Sequence, residues 1–247
     1  MRGQAWAGQD PTGWFMVQKL GGIRAFWDGS KLFARDGKIV LAPLDFISSL
    51  PPGVSLDGEL WIGYGALPEL TSILNQNLSD LWKDVKYIVF DAPTHHGTYP
   101  QRHAFASATI PHNSNRIKMI PSERCIGLEH LQSTLHTITT KKGAGVLLYH
   151  PESSYTPGRT GELLEVKDSF EEEDVTFLKC NENSYTFICE QQNGARCIVK
   201  CSGWEYLFPP SPGSILTVMH SGLYNTSRKM KSPFLVRIRH PCNLQQI

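Results

Sequence analysis

Short apolar runs separated by turn residues occupy the beginning of the chain. The runs WFMVQKL, IRAFW, KLFA and KIVLA are separated by Gly-Gly, Asp-Gly-Ser and Arg-Asp-Gly. Apolar runs of this length indicate strands, and Gly-Gly or Asp-Gly pairs are typical of tight turns between paired strands. The pattern therefore predicts a β-meander over residues 14–42, with DGS and RDG as hairpin turns.

Helical and strand patterns alternate in the next part of the chain. Two segments, 67–82 and 129–140, have apolar residues at helical spacing. The positions on the predicted apolar faces are Leu70, Leu74, Leu78 and Leu81 in the first helix and Leu131, Leu135 and Ile138 in the second. Further strands are predicted at Leu56–Ile62, Val85–Phe90, Gly145–Tyr149 and Leu163–Lys167. Sheets with a few helices predict an α+β domain.

The pattern changes after the acidic run Glu171–Asp174. Beyond it, the short apolar segments VTFLKC, YTFICEQ, ARCIVKC, SILTVMH and FLVRIR recur between Gly, Asn and Pro turns. Five short strands without a helix-length periodic segment are typical of a small barrel such as an OB-fold. We therefore predict one domain over residues 1–169 and an OB-fold domain over residues 170–247.

Composition and targeting signals narrow the class of protein. The chain has 247 residues, of which 40% are hydrophobic and 19% charged, as expected of a globular protein. The start MRGQAWAG has no apolar core of a secretory signal, and no apolar run reaches the ~18 residues of a membrane span. The expected location is intracellular, either cytoplasmic or nuclear. The six cysteines lack zinc-site spacing and are expected to be free thiols.

Positive charge is concentrated at the end of the chain. The whole chain has a formal net charge of +1, whereas residues 196–247 contain seven Lys or Arg against one acid, which is 7 − 1 = +6. A basic module of this kind is typical of a protein that binds a phosphate backbone. A solvated cationic surface is the alternative that charge alone leaves open.

The densest chemistry lies in QKLGGIRAFWDG, residues 18–29. A lysine at the end of a strand that enters a glycine turn can present its amine at a cleft as a nucleophile, and Lys19 has that position. Arg24 is then available for a ribose or a phosphate. A Lys-x-x-Gly pattern is common, so this segment alone does not specify a function.

Ordered motifs along nearly the whole chain resemble those of the ATP-dependent DNA ligases, in the small form without an extra DNA-binding domain. QKLGGIRAFWDG resembles the nucleophile motif, FARDG the 5′-phosphate segment, and LDGELW the next motif. YIVFDAP resembles the adenine-stacking segment, GAGVLLYHPESSYTPGR the fourth motif and ELLEVK the fifth. PGSILTVMHSGL and SPFLVRIRH also resemble the last strands of the family's OB domain. Six motifs in the family's order make coincidence an inadequate explanation.

The resemblance implies a fold and a reaction. The fold is an ATP-grasp-like nucleotidyltransferase domain of antiparallel sheets and helices, followed by a small all-β OB-fold barrel. The reaction seals 5′-phosphate/3′-hydroxyl nicks in DNA repair, replication or recombination. A lysyl-AMP forms from ATP, the AMP passes to the 5′-phosphate, and the 3′-hydroxyl displaces it. ATP and Mg²⁺ are the implied cofactors, nicked duplex DNA is the implied partner, and a monomer is expected.

The same resemblance assigns roles to individual residues. Lys19 is the implied nucleophile, and Glu59 is also an implied metal ligand. The implied nucleotide-binding residues are Arg24, Glu59, Phe90 and Lys167, and those for the 5′-phosphate or DNA are Arg35, Arg159, Arg228, Lys229 and Lys231. Ordinary structural alternatives are a surface lysine for Lys19, an ion-pair partner for Arg24, a strand end in water for Glu59 and plain core for Phe90.

Three positions depart from the family pattern. Gly21 stands in place of the acid of the nucleophile motif, Ala144 in place of a metal-binding glutamate, and Glu165 in place of a lysine beside the α-phosphate. Loss of one preorganised electrostatic contact costs ~10²–10³-fold in rate. We therefore expect impaired self-adenylation. A ligase that still joins adenylylated nicks and a catalytically inactive nick or nucleic-acid binder both remain open.

Overall fold

The computed structural model describes residues 1–76, 79–167, 170–182 and 184–239. The chain divides into two compact units. The first contains Met1–Ala5 and Pro11–Lys167, and the second contains Trp6–Asp10 and the residues from Asp168 onward. The second unit thus includes a short segment from near the start of the chain, within which Trp6 packs edge-on against Phe170 and Phe234.

The first unit contains ten strands, four α-helices and one 3₁₀ helix among its described residues. In chain order these are β1 Arg2–Ala5, β2 Phe15–Gln18, β3 Ile23–Trp27, β4 Leu32–Ala34, α1 Leu44–Ile47, β5 Leu56–Trp61, α2 Leu67–Gln76, the 3₁₀ helix Ser79–Asp84, β6 Lys86–Asp91, α3 Tyr99–Thr109, β7 Ile117–Met119, β8 Ser122–Arg124, α4 Leu128–Thr140, β9 Val146–Tyr149 and β10 Arg159–Val166.

Two five-stranded sheets form the framework of the first unit. One has the strand order β1-β10-β9-β2-β8, and the other has the order β4-β3-β5-β6-β7. Most neighbours are antiparallel, but β1 pairs with β10 and β6 pairs with β7 in parallel. The largest core cluster lies on the second sheet, where Trp27, Phe46 and Trp82 are fully buried.

The predicted β-meander over residues 14–42 is partly wrong. The hairpin between β3 and β4 forms at Asp28-Gly29-Ser30, where the Asp28 carboxylate accepts hydrogen bonds from the backbone of Ser30 and Lys31. By contrast, β2 and β3 belong to different sheets, so the Gly21-Gly22 pair is a crossover between sheets and not a hairpin turn. This crossover places the residues after Lys19 beside both sheets.

The predicted helices are present with corrected details. The second predicted helix forms as α4, and Leu131, Leu135 and Ile138 are buried as expected. The first ends earlier than predicted, as α2, and the 3₁₀ helix follows. The buried residues of α2 are Leu70 and Ile73, whereas Leu81 is exposed and Leu78 lies outside the described residues.

Helix α3 was not predicted because a buried charge interrupts its apolar face. The buried positions are Tyr99, Arg102 and Ala106, so the central residue of the inward face is polar. The fully buried Arg102 guanidinium binds both carboxylate oxygens of Asp91, at 2.7 and 3.1 Å, and donates to the carbonyl oxygens of Gly97 and Ser153. This ion pair fastens α3 to the end of β6.

The second unit is a closed barrel, as predicted for the OB-fold. Its strand order is β11-β12-β13-β15-β14, and antiparallel pairing of β11 with β14 closes it. The strands are β11 Glu171–Cys180, β12 Thr186–Gln191, β13 Arg196–Lys200, β14 Ile215–His220 and β15 Phe234–Ile238, and the unpredicted short helix α5 is Gly203–Leu207. The acidic run Glu171–Asp174 forms the start of β11. Cys242 lies outside the described residues, and Cys180, Cys189, Cys197 and Cys201 are free thiols.

None of the helices in the described part of the chain has both the length and the hydropathy needed to cross a bilayer.

The buried ion pair provides a test of the first unit. We expect Arg102→Met to lower the free energy of unfolding by about 3–5 kcal/mol, because the buried Asp91 carboxylate loses its partner. Urea unfolding followed by circular dichroism measures the change. Lys38→Met is the matched control, since it removes the exposed pair with Asp36 and should change stability far less. Equal effects of the two substitutions would contradict the role of burial.

Candidate functional site

Lys19 lies where β2 leaves the first sheet. Its backbone N–H donates to the carbonyl oxygen of Gly145 at 2.8 Å, and its own carbonyl accepts the N–H of Ala144 at 3.0 Å. These bonds fix the backbone of Lys19 against the start of β9. The side chain is only 24% exposed, so it projects into a partly buried site and not freely into solvent.

The Lys19 ammonium forms an ion pair with Glu165. Its Nζ donates to Oε2 of Glu165 at 2.6 Å, and Lys167 Nζ lies 3.3 Å from the same oxygen. Burial disfavours the charged carboxylate, but the hydrogen bonds and positive charges of Lys19 and then Lys167 outweigh burial and lower the pKa of Glu165. One ionised carboxylate oxygen is thus shared by two lysines.

The crossover binds a second carboxylate. The Gly22 N–H donates to Oε2 of Glu59 at 3.1 Å. A Cβ at position 22 would lie 2.3 Å from the carbonyl oxygen of Leu60, so only glycine allows this approach between β3 and β5. Burial raises the pKa of Glu59, while the Gly22 N–H and the charges of Lys19 and Arg24 oppose the increase. Glu59 is therefore within the electrostatic reach of both cations.

Arg24 is held by a buried aspartate. Its Nε and Nη2 bind the two carboxylate oxygens of Asp57 at 3.0 and 2.5 Å, and Tyr155 donates its hydroxyl to Asp57 at 2.8 Å. Burial opposes the charge of Arg24, but Asp57 outweighs it and raises the pKa of the guanidinium. The Arg24 guanidinium lies over the Phe90 ring, 5.6 Å from its centroid. The arrangement directs a cation onto one face of an aromatic ring.

The two positions without their expected acids are neighbours. A Cβ built on Gly21 would lie 3.2 Å from the Ala144 Cβ, and Gly21 has a φ of +78°. Any side chain at position 21 would therefore meet the side chain of residue 144. Because Gly21 and Ala144 replace both acids, the surface next to Lys19 at the crossover has no charged side chain from these two positions.

The carboxylates of the site do not fit a protein-held Mg²⁺ ion. Within the described ranges, no three Asp, Glu, His or Cys side chains are grouped closely enough to hold a metal. Asp57 is engaged by Arg24 and Tyr155, and Glu165 is engaged by two lysines. Because Mg²⁺ binding requires free oxygen ligands, Glu59 alone is a weak candidate, and we derive no step through a resident metal.

The structure brings five of the predicted residues into one connected region. Lys19 and Lys167 share Glu165, while Arg24 contacts Phe90 and acts electrostatically on Glu59. The ion pair considered as the structural alternative for Arg24 is present, and Phe90 is half-buried against a core cluster. The five residues lie in, or directly after, strands β2, β3, β5, β6 and β10. They are Lys19, Arg24, Glu59, Phe90 and Lys167.

Two predicted phosphate ligands are placed elsewhere on the unit. Arg35 is exposed in the turn after β4, and Arg159 is exposed at the start of β10, beside Arg2 of β1. The sequence analysis missed Asp57 and Tyr155. An aspartate in the middle of the apolar strand LDGELW was an available signal for Asp57, since a buried acid requires a partner. No local pattern identified Tyr155.

A basic loop lies between β14 and β15 of the barrel. In this loop, residues 221–233, the buried Gln191 side chain donates to the carbonyl of Arg228 at 3.2 Å and accepts the Met230 N–H at 3.1 Å. Arg237 and Arg239 of the barrel pair with Glu172 and Asp174. The acidic run therefore neutralises part of the C-terminal charge.

The three predicted cations of the basic loop have different surroundings. Arg228 and Lys229 are exposed, and no carboxylate of the described residues forms an ion pair with either. Lys231 is half-buried over the Tyr224 ring, 5.6 Å from its centroid. This loop thus presents two exposed positive charges, those of Arg228 and Lys229.

The α+β unit and the closed five-stranded barrel are the two parts of a ligase-type nucleotidyltransferase fold. The chain is 29% identical over 231 residues to the DNA ligase of Haemophilus influenzae, covering 89% of this chain and 85% of that protein. No protein-family model matches the chain.

Solved structures support the same fold. A Lig E DNA ligase matches with a TM-score of 0.59 and 24% identity, covering 97% of this chain and 100% of that chain. The adenylate form of Chlorella virus DNA ligase matches with a TM-score of 0.57 and 17% identity, covering 96% of this chain and 97% of that chain. These matches show that the chain has the fold of the small DNA ligases, and the relative shows that its sequence is similar to that of a DNA ligase.

The shared carboxylate provides a test of the site. We expect Lys19→Met to raise the pKa of Glu165, because burial remains while the nearer cation is lost. Carboxyl ¹³C NMR titration measures the pKa. Lys167→Met is the control and should raise it less, since Lys167 is the more distant and more exposed partner. An unchanged pKa in Lys19→Met would contradict the ion pair.

The same ion pair makes stability depend on pH. Because the pKa of Glu165 is lowered in the folded chain, its contribution is fully present above the ordinary glutamate pKa and is lost as pH falls through the lowered value. The stability difference between the wild type and Lys19→Met should therefore shrink on acidification. Urea unfolding at a series of pH values measures this difference.

Proposed function

We propose that this chain acts on nicked duplex DNA as an ATP-dependent ligase-like nucleotidyltransferase. It joins an adenylylated nick more readily than it adenylylates itself. The observation that carries this proposal is the placement of Lys19 at the crossover, with Glu59, Arg24 and Phe90 close by and Glu165 in contact with its amine. The nucleophile is retained, but its immediate environment is altered.

The proposed roles follow from these contacts. Phe90 stacks on the adenine, while Arg24 and Glu59 bind the nucleotide beside it. Lys167 binds a phosphate, and Arg35 and Arg159 contribute to the 5′-phosphate and DNA. Residues 1–169 act as the adenylation domain, and residues 170–247 act as the OB-fold domain that binds the duplex. These assignments are supported by the motif order and by the connected geometry of the site.

Self-adenylation is the step most affected by the altered environment. Lys19 Nζ must lose a proton and form a bond to the α-phosphorus of ATP, while the bond to pyrophosphate breaks. The Glu165 carboxylate stabilises the protonated amine and repels the phosphate. Gly21 and Ala144 supply no carboxylates, so the protein would contribute few ligands to a Mg²⁺ ion that ATP brings with it.

The final step depends less on Lys19. Attack of the 3′-hydroxyl on an adenylylated 5′-phosphate releases AMP and requires no nucleophile from the protein. Alignment of the two DNA ends is then the main requirement. The duplex contacts of the barrel supply binding energy that a free nucleotide lacks.

The protein acts as a monomer in the cytoplasm or nucleus.

A labelling assay tests the first step. With α-labelled ATP and Mg²⁺, the wild type should show little covalent label, and Lys19→Ala should show none. The combined variant Gly21→Asp, Ala144→Glu and Glu165→Lys should raise labelling by about 10²-fold or more, because it restores preorganised contacts. Aspartate is among the residues that best tolerate the positive φ at position 21.

The same proteins should be tested on a preadenylylated nick without ATP. We expect the wild type to seal this substrate and to fail on a control with a 3′-deoxy end. Ready self-labelling of the wild type would contradict the impairment. No label and no sealing, together with retained nick binding, would instead establish the non-catalytic binder.

The basic loop provides a separate test of DNA binding. Arg228→Ala and Lys229→Ala should each weaken binding to nicked duplex and reduce the slope of log K against log salt by about 0.9 per lost phosphate contact. Fluorescence anisotropy at several salt concentrations measures both quantities. Arg237→Ala is the matched control, because it removes the same charge from a residue already paired with Glu172. Equal slopes in the variants and the control would contradict a DNA-binding role for the loop.

A further inference from the structure

Glu165 occupies the position between two lysines that an anionic ligand would take. Its Oε2 lies 2.6 Å from Lys19 Nζ and 3.3 Å from Lys167 Nζ. Two ammonium groups that converge on one oxygen are the usual arrangement for binding a phosphate oxygen. Here the oxygen belongs to the protein itself, on strand β10, which β9 separates from β2 in the same sheet.

The carboxylate is held firmly in this position. Glu165 pairs in register with Leu147 of β9, so its backbone is part of the sheet that also contains β2. Its side chain is about as buried as that of Lys19, with 24% of each exposed. A ligand phosphate can contact both lysines only after this carboxylate is displaced or protonated. A displaced carboxylate that stays ionised nearby still repels the phosphate.

The other residues of the proposed nucleotide site would not repel a ligand as the Glu165 carboxylate repels a phosphate. Phe90 and Arg24 face each other at 5.6 Å, and Arg24 is already neutralised by Asp57. Gly21 and Ala144 add no charge to the surface beside the crossover. An uncharged purine nucleoside therefore meets an aromatic ring and polar groups, whereas its phosphorylated forms also meet Glu165.

The geometry points to Glu165 as a specificity residue that makes this site favour an adenine nucleoside over the corresponding nucleotides. This inference rests on the proposed function, because it takes the region around Lys19 and Phe90 as the nucleotide site. Glu165 acts as an internal substitute for phosphate. Free AMP and ATP compete with it, and adenosine does not.

Ligand affinities measured by isothermal titration calorimetry test the inference. Adenosine, AMP and ATP are compared on the wild type and on Glu165→Gln, which keeps the shape of the side chain and removes its charge. We expect wild-type protein to bind adenosine more tightly than AMP. Glu165→Gln should tighten AMP and ATP binding at least tenfold while changing adenosine binding less than twofold.

A matched control lies on the same strand. Glu162 is half-buried in β10, three residues from Glu165, and the ion pairs that Lys19 and Lys167 form among the described residues are both with Glu165. Glu162→Gln removes the same charge and should leave the ratio of AMP to adenosine affinity unchanged. Thermal unfolding of both variants checks that each is folded, and Glu165→Ala provides a second test of the same position.

The outcomes separate this inference from the proposed function. Equal binding of adenosine and AMP by the wild type, or an unchanged ratio in Glu165→Gln and Glu165→Ala, overturns the specificity role and leaves the nucleotide site intact. A failure of every variant to bind any of the three ligands overturns the nucleotide site itself. A selective gain for AMP and ATP in Glu165→Gln and Glu165→Ala, but not in Glu162→Gln, supports the inference.

Discussion

The ion pair between Lys19 and Glu165 determines what the rest of the site can do. A lysine can act as a nucleophile only without its proton, and a carboxylate at 2.6 Å stabilises the protonated form. Because Glu165 is also close to Lys167, one carboxylate forms ion pairs with both lysines. The altered positions Gly21 and Ala144 lie beside the same lysine. The site is therefore changed as a unit around one amine.

The architecture around this pair depends on a crossover and two buried acids. Gly21 and Gly22 carry the chain from one sheet to the other, and the close approach at Gly22 brings a backbone N–H to Glu59. Asp57 fixes Arg24 above Phe90, and Asp91 fixes helix α3 through Arg102. Each acid is buried and accepts two hydrogen bonds from one arginine. This geometry fixes the orientation of the arginine, and loss of either partner would leave an unpaired buried charge. Buried ion pairs thus support the region around Lys19, whose partner Glu165 has the opposite charge from the residue expected there.

Charge in the barrel is arranged by its strand pairing. Antiparallel pairing of β11 with β14, and of β14 with β15, brings Glu172 and Asp174 to Arg237 and Arg239. The arginines and the acids that seemed separate in sequence therefore neutralise one another. Two exposed cations, Arg228 and Lys229, lie in a loop that the buried Gln191 side chain fixes through its backbone. Two exposed cations on a loop held in this way are suited to contact with a phosphate backbone.

The sequence by itself determined the classes of the two folds and most of the residues around Lys19. Strand-length apolar runs, the OB-type strand pattern and ordered motifs are local signals, and Leu131, Leu135 and Ile138 of α4 show how reliable clear helical spacing is. Only the tertiary structure decided that Gly-Gly joins two sheets, because strand partners are set by long-range packing. Helix α3 was hidden for a related reason, since Arg102 is tolerated in the core only through Asp91, Gly97 and Ser153. The contact of Glu165 with Lys19 also spans 146 residues, a separation that no local pattern can report.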